Sequence, residues 1–208
     1  AVESTDVPTT AMQYLGFNLS RTPLGDAAVR RAMSGVIDRG TLVSSLLSGH
    51  GTAAQLPIAP QDANYPDAYE YRPRSLALLV NEENAFRCAV AESLCAQLTT
   101  AALTVTVREL PWGEYAAALE AGDFDLYLGE VRLTADWDAG ALLDAGGALN
   151  YGGFVSEQLS ARNDALLLGG NASAARYAES FVEETPFAPL LFKSKTVLTP
   201  SGLVDDMI

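Results

Sequence analysis

The amino-acid sequence predicts an α/β domain with a mostly parallel central sheet flanked by helices. Between residues 76 and 129, apolar runs typical of strands alternate with helical patterns in the order strand, helix, strand, helix, strand. Right-handed crossovers between parallel strands produce this order. Of the 208 residues, 49% are hydrophobic and 19% are charged, a balance typical of a globular domain with a substantial core.

Capping residues and loop residues divide the first 73 residues into short elements. Asp and Thr begin helices, Gly ends them, and clusters of Gly, Pro, Asn and Asp mark loops. These signals predict, in order, a strand at residues 12–18, a helix after Asp26, a short helix at residues 42–47 capped by Thr41, and a long irregular connection at residues 49–73. A connection of that length in a compact domain is usually functional or covers another surface.

The remainder of the chain continues as a regular series of strands and helices. Patterns with a period of two, and short buried runs, predict strands, whereas a period of 3.6 predicts helices. The predicted strands are residues 76–80, 103–110, 124–129 and 188–192, with a second short strand after Lys195; the predicted helices are residues 84–100, 112–121, 156–168 and 172–184, with a helical turn at residues 139–143. A glycine-rich loop at residues 146–153 separates that turn from the last two helices.

The polar loop after the strand at residues 124–129 is the strongest candidate for a binding site. Ligands of open α/β sheets bind at the carboxyl ends of the strands. Asp136 is well placed there, because a desolvated carboxylate holds an ammonium or another strong donor by a charge-assisted hydrogen bond. Asp138, by contrast, suits a capping role at the following helical turn.

Further candidate ligand-binding residues surround Asp136. Glu130 and Arg132 either neutralise each other across the loop or line a polar pocket. Tryptophans are more often core residues than site residues, but an indole beside a strand end can form the wall of a pocket. The complete predicted set is Glu130, Arg132, Thr134, Asp136, Trp137 and Trp112.

Composition and motifs argue against several other classes of protein. The net charge of −13 argues against a nucleic-acid partner, because neutralisation of phosphates requires a basic face. His50 is the only histidine and lies between glycines, and the sequence contains no nucleophile-elbow motif, so we do not expect an enzyme. With one His, and with Cys88 and Cys95 about 10 Å apart along a helix, we expect neither a metal site nor a disulfide, and we expect no cofactor.

Several spaced sequence blocks resemble the family 5 extracellular solute-binding proteins, the receptors of peptide and nickel ABC importers. They occur in the family's order from Tyr14 to about Leu198. The blocks are Tyr14-Leu15-Gly16-Phe17-Asn18, Val29-Arg30-Arg31-Ala32-Met33, Ile37-Asp38-Arg39, Gly49-His50-Gly51-Thr52-Ala53, Gly122-Asp123-Phe124-Asp125-Leu126 and Pro186-Phe187-Ala188-Pro189-Leu190.

This resemblance implies one lobe of a type II periplasmic-binding-protein-like fold, with antiparallel hinge strands at its termini. In the family, one lobe is inserted into the other, and this chain resembles the second, inserted lobe. The implied division is a linker and hinge entry at residues 1–13, the ligand-binding lobe at residues 14–198, and a hinge exit and tail at residues 199–208. Residues 14–18 and 188–192 are then expected to run past each other.

The resemblance also implies a function and partners. We expect the substrate-binding component of an ABC importer, which holds an oligopeptide, a dipeptide or a related small solute in a cleft between two lobes. Asp136 resembles the family carboxylate that binds the α-amino group of a peptide, and Trp112 resembles a tryptophan near side-chain pockets. The implied partners are the solute, the permease and the first lobe. We expect an extracytoplasmic location, with any secretion signal or lipid anchor outside this chain. The alternative is a sensory or protein-interaction module that uses the same fold without transport.

Overall fold

A single six-stranded sheet organises the fold. The computed structural model describes residues 2–59, 61–66, 74–169 and 171–200. The strands are β1 (Val2–Phe17), β2 (Gly51–Ala53), β3 (Arg74–Asn81), β4 (Leu103–Leu110), β5 (Leu126–Arg132) and β6 (Phe187–Pro200). The helices are α1 (Ala27–Gly35), α2 (Arg39–Leu46), α3 (Ala85–Leu98), α4 (Trp112–Ala121), α5 (Gly140–Leu143), α6 (Glu157–Leu167) and α7 (Asn171–Glu184).

The sheet has a parallel half and an antiparallel half. Its strand order is β2-β6-β1-β5-β3-β4, in which β3 pairs in parallel with both β4 and β5. The other three pairings, β5 with β1, β1 with β6, and β6 with β2, are antiparallel. The predicted α/β class is confirmed, and the antiparallel share is larger than expected because the two terminal strands lie inside the sheet.

The two terminal strands run past each other as predicted. β1 and β6 pair antiparallel from Val2 with Pro200 to Gly16 with Phe187, with register shifts between Pro8 and Met12 and again after Gln13. Beyond the other strands they continue as a two-stranded extension, residues 2–8 and 194–200, which we call the terminal ribbon. Of the expected exit tail, residues 201–208 lie outside the described part of the chain.

Most element predictions match the structure, and the exceptions have physical causes. The bounds of β4 and α4 are those predicted. The expected pair of short strands near the C-terminus is one strand, β6, because β1 pairs with it along both halves. The irregular connection at residues 49–73 contains β2, and its residues 60 and 67–73 lie outside the described ranges. Thr41 is not the cap of α2: Asp38 is, and its Oδ1 accepts the Thr41 N–H at 2.9 Å.

Two hydrophobic clusters cover the two faces of the sheet. One joins Leu15, Leu78 and Leu128 to the apolar sides of α1, α2 and α3, and the other joins Tyr14 and Tyr127 to α4, α5, α6 and α7. Side chains of neighbouring strand residues point to opposite faces, which is why Tyr14 and Leu15 belong to different clusters. Cys88 and Cys95 are both free thiols. In the described part of the chain, no helix combines the length and apolarity needed to cross a membrane.

Two buried arginines hold backbone carbonyls at the ends of elements. The Arg39 Nε donates to the carbonyls of Ala54 and Pro189 at 2.9 and 2.8 Å, and its Nη1 donates to those of Ser34 and Ile37. Burial lowers the pKa of Arg39 to about 10. Arg30 similarly donates to four carbonyls, those of Leu24, Gly25, Glu184 and Thr185. Two residues that carried the family resemblance are therefore structural.

Reciprocal glycine–tyrosine pairs join β1 to β5. Tyr14 lies opposite Gly129, and Gly16 lies opposite Tyr127. A Cβ on Gly129 would lie 2.4 Å from the Tyr14 ring, and one on Gly16 would lie 2.0 Å from the Tyr127 ring. Each ring thus occupies the space above the opposite glycine, and the two rings meet edge to face at 5.7 Å.

Candidate ligand-binding site

The predicted site residues lie at the carboxyl ends of the parallel strands. β3, β4 and β5 end at the same edge of the sheet, because β3 is parallel to both of its neighbours. Trp112 follows β4, and the loop that contains Asp136 follows β5. β3 separates β4 from β5, so these two strands lie about 10 Å apart across the sheet. The terminal ribbon leaves the sheet at this edge too, because Ala11 of β1 pairs with Arg132 at the end of β5.

A short turn presents Asp136 at the surface. The Thr134 carbonyl accepts the Trp137 N–H at 3.1 Å, and the Thr134 hydroxyl accepts the Asp138 N–H at 3.0 Å. Asp136 lies at the tip of this turn, exposed and without a hydrogen bond to any described residue. Thr134 therefore shapes the loop that carries the carboxylate.

Trp137 fixes the other side of this turn. Its φ is 67°, a left-handed conformation that costs energy for a bulky residue. Its half-buried indole packs edge to face on Phe192 of β6, with the ring centroids 5.2 Å apart. Such strain persists only where surrounding contacts hold it, and it is often found at functional sites.

Asp138 contacts the start of the following helical turn, although the N-cap residue of α5 is Ala139 and not Asp138 as predicted. Its Oδ1 accepts the Gly140 N–H at 2.8 Å and the Asn163 Nδ2–H at 2.9 Å. Both contacts are internal to the fold, so Asp138 belongs to the framework and Asp136 is the exposed carboxylate of this pair.

Trp112 presents an exposed indole at the start of α4. The residue is 60% exposed and stacks on Tyr115, with ring centroids 5.8 Å apart and planes inclined by 27°. Both carboxylate oxygens of Glu83 accept the Trp112 backbone N–H at 3.1 Å, and this hydrogen bond lowers the pKa of Glu83. Because Glu83 occupies the helix N-terminus, α4 offers an aromatic surface here rather than an anion site.

Glu130 pairs with basic residues other than Arg132. Its Oε2 accepts from Lys193 Nζ at 2.7 Å and from the Gln13 amide, and it lies 3.6 Å from Arg87 Nη2. The interpretation that Glu130 and Arg132 neutralise each other is therefore wrong: β6 and α3 supply the counter-charges, and Arg132 is exposed at the end of β5. We call Gln13, Arg87, Glu130 and Lys193 the ionic row.

The ionic row carries an excess of positive charge. Burial alone would raise the pKa of Glu130, but the hydrogen bond and charge of Lys193, with the charge of Arg87, lower it below its ordinary value. Two cations therefore face one carboxylate. Gln13 Oε1 and Arg87 Nε are buried and have no hydrogen-bond partner in the described ranges. Buried polar groups without a partner are rare in folded proteins, so these two atoms of the ionic row are available for further hydrogen bonds.

Sequence reasoning missed Gln13, Arg87 and Lys193. Lys193 is one of only two lysines and directly follows the predicted strand at residues 188–192. Arg87 lies in the first turn of the helix after β3, at the same edge of the sheet. The sequence positions of Lys193 and Arg87 could therefore have identified them as site residues. Gln13 is recognisable only once β1 is paired with β5.

The Glu130→Gln variant should lose stability in a pH-dependent way. Because the folded-state pKa of Glu130 is lowered, its stabilisation is present above the ordinary carboxyl pKa and is lost as the pH falls through the folded value. We expect a loss of about 1–2 kcal/mol at pH 7 and a smaller difference from wild type at pH 3.5. Urea unfolding at the two pH values measures this. An equal loss at both would show that the ion pairs do not stabilise the fold.

His50 precedes β2 and contacts the terminal ribbon. Its Nδ1 is 2.7 Å from Asp6 Oδ2, and no serine hydroxyl in the described part of the chain hydrogen-bonds to its ring. The same part of the chain contains no group of three or more His, Cys, Asp or Glu side chains arranged to bind a metal.

The fold can be compared with those of known proteins. Its mixed sheet, whose parallel strands end beside two paired terminal strands, matches solved structures of solute-binding proteins. The family model described as bacterial extracellular solute-binding proteins, family 5 Middle, matches residues 1–77. The resemblance seen in the sequence is thereby confirmed.

Individual relatives agree with this family. Heme-binding protein A of Haemophilus influenzae is 29% identical over 72 residues, which are 33% of this chain and 13% of that protein. Oligopeptide-binding protein AppA of Bacillus subtilis is 38% identical over 53 residues, 26% of this chain and 10% of AppA.

Solved structures share the fold across nearly the whole chain. AppA from Bacillus subtilis in complex with a nonapeptide superposes with a TM-score of 0.74 at 18% identity, over 96% of this chain and 48% of AppA. NikZ from Campylobacter jejuni in complex with Ni(L-His) has a TM-score of 0.76 at 14% identity, over 96% of this chain and 48% of NikZ. The chain thus spans about half the length of these structures and a smaller share of the curated relatives.

Proposed function

We propose that this chain is the ligand-binding lobe of a substrate-binding protein for an ABC importer. In this proposal it works outside the cytoplasm, together with a first lobe of the same protein and a permease. The observation that carries the proposal is the shared edge: Asp136, Trp112 and the ionic row lie at the carboxyl ends of the parallel strands, where the terminal ribbon leaves the sheet. A second lobe attached through the ribbon would face this edge and enclose a solute between the two lobes.

The charges along this edge favour a solute with two ionic ends. Asp136 is an exposed carboxylate, suited to an ammonium group once closure removes water. The ionic row has net positive charge, and Lys193 Nζ can present a second donor to a carboxylate while it contacts Glu130 and lies over the Phe86 ring at 4.8 Å. A short peptide has an ammonium group and a carboxylate. We therefore propose an oligopeptide or a dipeptide as the solute.

The aromatic surface adds apolar area to the same edge. The exposed indole of Trp112 stacks on Tyr115, so a ligand side chain would meet a rigid, partly supported ring. Aromatic side chains supply large contact areas, and because they have few rotatable bonds they lose little conformational entropy on binding. Trp112 and Trp137 then contribute contact area, and Asp136 contributes orientation.

The Asp136→Asn variant tests the role of the carboxylate. Removing one charge-assisted hydrogen bond to an ammonium group should weaken peptide binding about tenfold to a hundredfold. The measurement is mass spectrometry of the ligands released from the two-lobed protein, supported by calorimetry with a recovered peptide. Asp164→Asn, at an exposed position on α6, makes the same change of charge and should leave binding unchanged.

Two results would contradict this assignment. Equal recovery of peptides with Asp136→Asn would show that Asp136 does not bind the amino group. Recovery of only uncharged or metal-containing solutes from the wild-type protein would exclude peptides as the ligand class.

A further inference from the structure

A histidine joins the terminal ribbon to the body of the lobe. His50 lies in the loop between α2 and β2, and its Nδ1 is 2.7 Å from Asp6 Oδ2 on β1. The other oxygen of that carboxylate, Oδ1, accepts the hydroxyl of Thr196 on β6 at 2.8 Å. One side chain from the body therefore contacts a carboxylate that also bridges the two strands of the ribbon.

The position of this contact is unusual within the ribbon. All of residues 2–8, and most of residues 194–200, are exposed. Among the described residues, the His50–Asp6 contact is the only side-chain hydrogen bond between the ribbon and the rest of the lobe. The backbone supports it from the same side, because the His50 carbonyl accepts the Ser194 N–H at 3.4 Å and the next residue, Gly51, pairs with Lys193.

We infer that His50 and Asp6 form a pH-sensitive latch that holds the ribbon at a set angle to the lobe. The contact lies where β6 leaves β2, so a ribbon that is tied there tilts less freely than one held only by the pairing of β1 with β6. The latch itself requires neither ligand nor second lobe, whereas its role in setting the angle between two lobes rests on the proposed function.

The charges around the pair leave it isolated from other ions. Asp6 is the acidic partner from β1. On β6, Lys193 contacts Glu130 instead, and the side chain of Lys195 lies on the face of the strand opposite to that of Thr196. The one charged residue of α2, Arg39, is buried and donates to carbonyls elsewhere. The hydrogen bond from His50 is the largest cause that lowers the pKa of Asp6, and that from Thr196 is the next.

The sign of the pH dependence follows from the two groups. An ion pair requires both an ionised carboxylate and a protonated imidazole, and histidine is the side chain whose charge ordinarily changes between about pH 5 and pH 8. Above that range the contact is at most a neutral hydrogen bond, which is weaker. The side chains are 52% and 36% exposed, so the effect is modest and weakens with added salt.

Hydrogen exchange of the ribbon amides in the 208-residue chain tests the latch. After correction for the intrinsic exchange rates, we expect the ribbon to open about two- to fivefold less often at pH 5.5 than at pH 8. In His50→Gln this pH difference should disappear. In Lys195→Gln, where the side chain lies on the face of β6 opposite to that of Thr196, the pH difference should persist.

Carboxyl-carbon NMR gives a second, independent measurement. The pKa of Asp6 should rise toward its ordinary value in His50→Gln, because the largest cause of its lowering is removed. A wild-type ribbon that opens equally at both pH values, or a pH difference that persists in His50→Gln, would overturn the latch. Because these measurements use neither ligand nor second lobe, a failure of the proposed transport function would leave their outcome unchanged.

Discussion

Replacing Arg39 with leucine is expected to lower the free energy of unfolding by roughly 3–4 kcal/mol, one of the two largest effects that we anticipate for a single substitution. The arginine donates hydrogen bonds to four backbone carbonyls, including those of Ala54 and Pro189, which belong to different segments of the chain. Leucine fills part of the space but removes the guanidinium donors, and each buried acceptor that is left without a donor costs about 1–3 kcal/mol.

Urea unfolding at pH 7, followed by circular dichroism, measures this loss. Arg132→Leu is the matched control, because Arg132 is exposed and has no side-chain hydrogen bond within the described residues. The control should change stability by no more than about 0.5 kcal/mol. Similar losses in both variants would show that the buried guanidinium contributes nothing special.

Gly129→Ala is expected to destabilise the protein by about 2–3 kcal/mol through overpacking. The new Cβ would lie 2.4 Å from the ring of Tyr14, which is itself buried on one face of the sheet. The ring cannot move away without disturbing Tyr127 and Phe187, whose rings it contacts edge to face. The glycine is required by the close approach of the ring and not by its backbone angles.

The same substitution at Gly113 provides a control of opposite sign. Gly113 is exposed in α4, and a Cβ there would meet nothing within 4 Å. Because alanine favours the helix, Gly113→Ala should stabilise the protein by about 0.5–1 kcal/mol. Thermal unfolding of both variants distinguishes a general glycine effect from the steric one: a stable Gly129→Ala protein would mean that the tyrosine ring adapts.

Local patterns predict the parallel half of this fold well. β4 alternates Val and Thr, and α4 ends at Gly122, whose φ of 68° suits the left-handed cap that a glycine supplies. The site loop was also predictable, because a buried strand that ends in polar residues places them at the carboxyl edge. Capping rules also associated Asp138 with the start of α5, where its carboxylate accepts the Gly140 N–H.

Long-range pairing explains what the sequence did not reveal. The polar residues from Lys193 to Lys195 suggest a break between two strands, yet the structure continues through them because β1 supplies the hydrogen bonds. The partners of Glu130 come from residues 43 to 117 positions away, and no local rule connects them. Arg30 and Arg39 marked the family resemblance without indicating that both guanidinium groups are buried.

Because β1 and β6 are continuous strands, movement of the terminal ribbon is transmitted to the core of the sheet. Each strand runs from the core of the sheet into the terminal ribbon, and Gln13 and Lys193 lie near the point where the core becomes ribbon. β5 stops at Arg132, so Glu130 stays with the core when the ribbon tilts. Lys193 is paired with Gly51 of β2, so a tilt would bend β6 directly beside this residue while the carboxylate stays in place. In a two-lobed protein, a change in the angle between the lobes would then also change the electrostatic field at this end of the cleft.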